Sequence, residues 1–198
     1  NLGLCMCTIN DEWESVCIDW LQLVNITKFR HRGDASSCKL YHKACFTDWI
    51  QHILLFYKYI FDEADYILLE LQPPQGLKAV EQLIFYTYRS KCILIHPASV
   101  HKKLHIGHLD YDARKIESVR IASTYLAKYC HDHKFLSKFD NLIRQHDVAD
   151  SICMIIYWLS IKTKEYKDTQ NMERLKSIVP TFSTSGMSID SWMEQYRF

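Results

Sequence analysis

The sequence predicts an α/β domain, a mixed sheet flanked by helices. A strand hairpin opens the chain, strands and helices then alternate, and the last long helix is apolar almost all round, as a helix packed on a sheet is. The 198 residues form one large domain over residues 1–166, followed by a peripheral C-terminal segment, 167–198, without a clear period. A 48% hydrophobic share with 13% aromatic residues fills a sizeable core, while five glycines and four prolines are too few for a collagen-like, low-complexity or linker-rich chain.

The elements follow in order. Residues 2–9 (LGLCMCTI) read as a strand, and 14–24 (ESVCIDWLQLV) as a second strand returning across a turn at 10–12. Residues 27–37 (TKFRHRGDASS) are polar and basic with Gly33-Asp34, an exposed loop before a long helix over 39–62. The near-continuous apolar run 66–71 (YILLEL) is that of a strand covered on both faces, and QPPQG at 72–76 stops it. A helix over 77–90, a strand over 92–96 stopped by Pro97, and a helix over 112–130 come next. A short helix over 135–144 leads to the strongly apolar helix over 147–166.

Charge narrows the partners. Twenty-four Lys plus Arg against 23 Asp plus Glu leave +1, so no global field draws an acidic partner and any nucleic-acid binding rests on local patches. No apolar run approaches the roughly 18 residues of a membrane span, so no membrane partner is expected. None of the eight cysteines sits in a C-x-x-C pair, and most lie in apolar stretches, the pattern of buried reduced thiols in a cytosolic protein. The chain starts at Asn1 with no signal-peptide pattern after it, and is expected to begin inside a longer sequence.

Two groups of acids could do chemistry. Glu70 sits inside ILLEL at the end of a strand, where a carboxylate is costly unless it is paired, binds a metal or reaches solvent at an edge. In open α/β sheets the carboxyl ends of strands are also where ligand crevices lie. Asp147 and Asp150 in DVAD share one face of a helix start. Asp147 as N-cap with an acid at N3 is an ordinary way to begin a helix, favoured by the macrodipole. The apolar run ICMIIYWL that follows instead directs these acids into the cleft. Three carboxylates converging there would repel one another unless hard cations such as Mg²⁺ or Mn²⁺ sat among them.

His101, Lys102, Lys103, His105 and His108 mix basic and imidazole groups. With His131 and His133 they form at most a weak zinc set, lacking matched cysteine spacing. They read better, with Lys28, Arg30, His31 and Arg32 of the earlier loop, as two local patches able to meet phosphates. No nucleophile-base pair or phosphate-cradling glycine loop has a local signature.

Taken in order, the strand hairpin, YILLELQP, a strand ending in HPASVHKK, YDARKIESVRIA and HDVADSICMIIYW resemble the RuvC-type Holliday junction resolvases. The likeness is greatest to the poxvirus-type enzymes of large cytoplasmic DNA viruses, a branch of the RNase H-like fold, and it covers residues 1–158. By that resemblance Glu70, Asp147 and Asp150 match three of the family's four metal-binding acids. Lys115 in ARKIES matches a lysine near the scissile phosphate, and Lys102 and Lys103 occupy a stretch used beside the junction. Asn1-Leu-Gly-Leu resembles the end of an Asp-x-Gly-x-x-Asn-like pattern, which places the first acid upstream of Asn1. His146 stands where relatives often carry a further acid.

The resemblance implies a structure-selective endonuclease that resolves four-way DNA junctions by two-metal-ion phosphodiester hydrolysis during viral DNA replication and recombination. Two Mg²⁺ or Mn²⁺ ions would be held by Glu70, Asp147 and Asp150 with the upstream acid, and Lys115 would stabilise charge on the phosphate. Lys102, Lys103, Arg30 and Arg32 are the expected DNA contacts. A symmetric homodimer follows from the two-fold symmetry of a junction that needs paired nicks, and the host-cell cytoplasm follows from the viral likeness. The alternatives are another RNase H-like nuclease acting on a hybrid or flap, a non-catalytic DNA-binding protein retaining the fold, and an α/β domain of other role.

Overall fold

The computed structural model describes residues 1–13, 16–26 and 46–178. Arg30, Arg32 and the rest of the basic loop, the first residues of the helix expected at 39, and residues 179–198 lie outside the described residues. Strands β1 (Leu2–Ile9) and β2 (Val16–Val24) pair antiparallel as expected, from Leu2 opposite Val24 to Ile9 opposite Val16. Met6 faces Trp20 and Cys7 faces Ile18, so Asp19 is an extra residue on β2. That bulge explains why Ile18 and Leu21, three residues apart, are buried in one cluster although a regular strand alternates faces every residue. The turn ends at Trp13, whose φ of 60° lies in the left-handed region that a bulky side chain avoids. Packing offsets the strain: the indole meets the Trp158 ring at 5.1 Å edge-on, and Thr163 donates to the Trp13 carbonyl at 2.8 Å.

The next helical segment is two helices, α1 (Phe46–Phe56) and α2 (Lys58–Glu63), broken at Tyr57, where one continuous helix was expected. The Tyr57 ring at the break packs on Trp20 of β2 at 5.4 Å. Strand β3 (Ile67–Glu70), helix α3 (Lys78–Thr87) and strand β4 (Cys92–Ile95) make a β-α-β unit, with Ile67 opposite Cys92 and Glu70 opposite Ile95 in a parallel ladder. Pro97 ends β4, and it also begins a helix that the sequence did not signal, α4 (Pro97–Lys103). Proline suits the first helical position, and the His96 ring nitrogen accepts the Ala98 N–H at 3.2 Å.

Helices α5 (Tyr111–Tyr129), α6 (His133–Asp140) and α7 (Gln145–Ile178) complete the chain. Ser118, Ala122 and Leu126 form the buried stripe of α5. Ala122 and Leu126 share a core cluster with Val148, Ala149 and Ile152 of α7, and the two alanines let the helices approach. The last helix runs twelve residues past the expected end at 166, and residues 167–174 are exposed. That stretch is polar except for Met172 and is made of exposed, largely helix-compatible residues, so it has no apolar period to read.

The architecture is mixed α/β. The expected single mixed sheet is, among the described residues, two two-stranded ladders, β1-β2 and β3-β4. Side chains join them, with Leu68 of β3 packed in one cluster with Cys5, Cys7 and Ile9 of β1 against Ile155 and Leu159 of α7. Among the described residues six cysteines are free; Cys130 and Cys153 are buried, whereas Cys5, Cys7, Cys17 and Cys92 are only half-buried. Burial, with the Asp19 charge behind it, pushes the Cys7 thiol up to about 12, which keeps it protonated and inert. No helix among the described residues is long and apolar enough to cross a membrane.

Candidate active site

Glu70 closes β3, half-buried, and the loop that follows fixes its carboxylate. The Gln72 side chain hydrogen-bonds to Glu70, and its oxygen accepts the Leu77 N–H at 3.3 Å. The Gln72 backbone N–H donates to Oε2 of buried Glu81 at 2.6 Å, and Lys78 pairs with Glu81 at 2.7 Å. A Cβ at Gly76 would come within 2.8 Å of the Gln72 side-chain oxygen, so a larger residue there would displace that side chain. Burial pushes the Glu70 pKa up, and the Gln72 hydrogen bond pulls it partly back.

Asp147 and Asp150 project from the start of α7. The helix begins at Gln145, so Asp147 lies within its first turn and is not the N-cap. Its carboxylate is gripped by Arg144, Nε at 2.7 Å and Nη2 at 3.3 Å, and meets His146 Nε2 at 3.3 Å. Burial pushes the His146 pKa down; Asp147 opposes this, and the Lys115 and Arg144 charges add to it. Strand β1 abuts this turn. The Ser151 hydroxyl donates to the Gly3 carbonyl at 2.9 Å, and a Cβ on Gly3 would fall 1.9 Å from the Asp147 carbonyl oxygen.

Asp150 is where the three acids meet electrostatically. Its pKa is raised to about 7, first by the protein packed around it and then by the charges of Glu70 and Asp147. A hydrogen bond from Ser118 and the charge of Lys115 act the other way. The residue itself is exposed, so water softens the burial contribution, and repulsion from two neighbouring carboxylates is what distinguishes it. Lys115 reaches this field from α5, its Nζ 3.9 Å from the Tyr111 ring centroid.

Carboxylates that repel one another without a compensating cation are a donor set for hard divalent ions. Glu70 and Asp150 fit such an ion. Asp147 has its oxygens on Arg144 and His146, and among the described residues no three metal-ligating side chains stand close enough to share one ion. The sequence-expected residues thus divide: the charges of Glu70, Asp147 and Lys115 act on Asp150, while Lys102 lines a separate open cavity and Lys103 is exposed.

No protein-family model, curated protein or solved structure significantly matches this chain. Sequence reasoning missed Gln72, Ser118 and Arg144. Each had a positional signal: Gln72 follows Glu70 by two, Ser118 follows Lys115 by three on one helix, and Arg144 precedes Asp147 by three.

Proposed function

We propose that this protein is a metal-dependent endodeoxyribonuclease of RNase H-like type that resolves four-way DNA junctions, as its resemblance to the RuvC-type enzymes implies. The observation that carries the reading is that the charges of Glu70 from β3 and Asp147 from α7 both act on Asp150, with the Lys115 charge opposing them. Bound at Glu70 and Asp150, Mg²⁺ or Mn²⁺ would supply an activated water and offset charge at the phosphate and the leaving oxygen. The chain's own groups do the rest. Gln72 holds the Glu70 carboxylate in one orientation and Ser118 does the same for Asp150. Lys115 sets a positive charge where a phosphate approaching three carboxylates would otherwise be repelled. Arg144 neutralises Asp147 and competes with a cation for it. A symmetric homodimer supplies the two sites that paired nicks need.

The test is single-turnover cleavage of a four-way junction and of a linear duplex of equal length, with and without Mg²⁺ or Mn²⁺. The junction is expected to be cut in preference and only with the ion. Glu70→Gln should lower the rate on the order of 10²–10³-fold while leaving junction binding intact or tighter. A folded Glu70→Gln protein that cuts at the wild-type rate would sink the assignment. The Arg144 grip on Asp147 favours one rival, a DNA-binding protein that keeps the fold without cutting. Junction bound equally with and without ion, and cut in neither case, would put that rival ahead.

A further inference from the structure

Beyond the acids, α4 and the turn after it enclose an open cavity of about 680 Å³ whose polar lining is His101, Lys102, His105, His108 and Arg114. Its other walls, Ala98 and Gly107, are small and leave room for a ligand. Two permanent cations and three imidazoles face this space, and among the described residues no carboxylate lines it. His105 has φ of 58°, the left-handed conformation that closes α4, with the Ile106 N–H donating to the His101 carbonyl at 2.9 Å. Histidine is among the few non-glycine residues that take this conformation readily. Ile106 is buried and anchors the turn, and Arg114 is pinned by its Nη1 donating to the Leu109 carbonyl at 2.8 Å.

This chemistry selects an anion. A dication would be repelled by Lys102 and Arg114, and no described group of histidines is placed to hold a metal. Burial and the Arg114 charge push the His101 pKa down, and a bound anion would offset the Arg114 charge. An anion with several acceptor oxygens uses Arg and Lys together with imidazole N–H donors. We propose that this cavity is a phosphate-binding site and that it takes a phosphodiester of the DNA other than the scissile one. The DNA source rests on the nuclease reading; the phosphate chemistry rests on the cavity. Arg114 and Lys115 are consecutive on α5, so the helix turns one cation to the cavity and the next to the acids.

The experiment follows the imidazole resonances of the full chain during titration with inorganic phosphate. Saturable shifts of His101, His105 and His108, with His131 and His133 unmoved, are expected; no shift, or equal shifts in all five, overturns the site. The double variant Lys102→Gln with His108→Gln, both exposed positions, should lose about tenfold or more in phosphate affinity. Unchanged affinity overturns the site. The same variant should bind a four-way junction about tenfold more weakly than wild type. Junction affinity equal to wild type overturns the DNA assignment. A wild-type chain that binds phosphate in the cavity and binds no DNA overturns the nuclease reading while the phosphate site stands.

Discussion

The start of α7 and the end of α4 are both short helical stretches crowded with titratable side chains, and they are built differently. At α7 the acids alternate with core: Val148 and Ala149, fully buried, separate Asp147 from Asp150, and Ser151 ties the helix to the Gly3 carbonyl. At α4 the charged groups stand on exposed backbone, with Val100 and Ile106 as the buried anchors. Like charges are forced together in the first case by packing and in the second by turn geometry. Change near the acids should therefore disturb stability and chemistry at once, whereas change at the cavity should alter binding alone.

The strongest way to break this contrast is at Gly3. Gly3→Ala drives a Cβ into the Asp147 carbonyl, so β1 or α7 must shift. Overpacking of this kind costs about 1–3 kcal/mol. Denaturant unfolding should register the loss, and divalent-ion binding should weaken with it while phosphate binding at the α4 cavity stays as in wild type. Equal damage to both would show that the regions are not separately built.

A smaller effect separates orientation from ligation. Gln72→Leu keeps Glu70 but removes the hydrogen bond to it, and should weaken divalent-ion affinity about 10–100-fold. Rescue by Gln72→Asn would point to a general polar requirement and not to orientation of Glu70 by the longer side chain.

The smallest effect is on stability, and pH sets its sign. The folded-state pKa of Asp150 is raised from 3.8 to about 7, so folding disfavours its ionised form. The resulting penalty is absent below 3.8, grows as pH rises through that value and is complete above about 7. In metal-free buffer Asp150→Asn should raise Tm above pH 7, by about 1–2 °C given the exposure of the group, and leave it unchanged in acid. Thermal scans across that range check it; a lower Tm for the variant above pH 7 would mean that the carboxylate is already compensated.

What was legible in the sequence follows from the same contrast. The hairpin, the β-α-β unit around ILLEL and the buried run ICMIIYWL announced themselves through apolar period, and with them the positions of Glu70, Asp147 and Asp150. Helix α4 did not, because Pro97 reads equally as a strand stop and a helix start. Nor did the far end of α7, which carries no apolar stripe. The single mixed sheet gave way to two ladders because strand order and pairing depend on long-range register, which alternation along one strand does not encode. The Arg144 grip on Asp147 and the left-handed His105 are local geometry that residue types alone leave open.

The central proposal is that Glu70 and Asp150 hold a divalent cation, with Asp147 beside them engaged by Arg144. Calorimetric titration of the full chain with Mn²⁺ tests it most directly, repeated on Glu70→Gln and on the Lys102→Gln, His108→Gln double variant. Saturable binding that is lost in Glu70→Gln and kept in the double variant is the expected result. Binding of equal strength in wild type and Glu70→Gln, or no binding to wild type at all, would contradict the account.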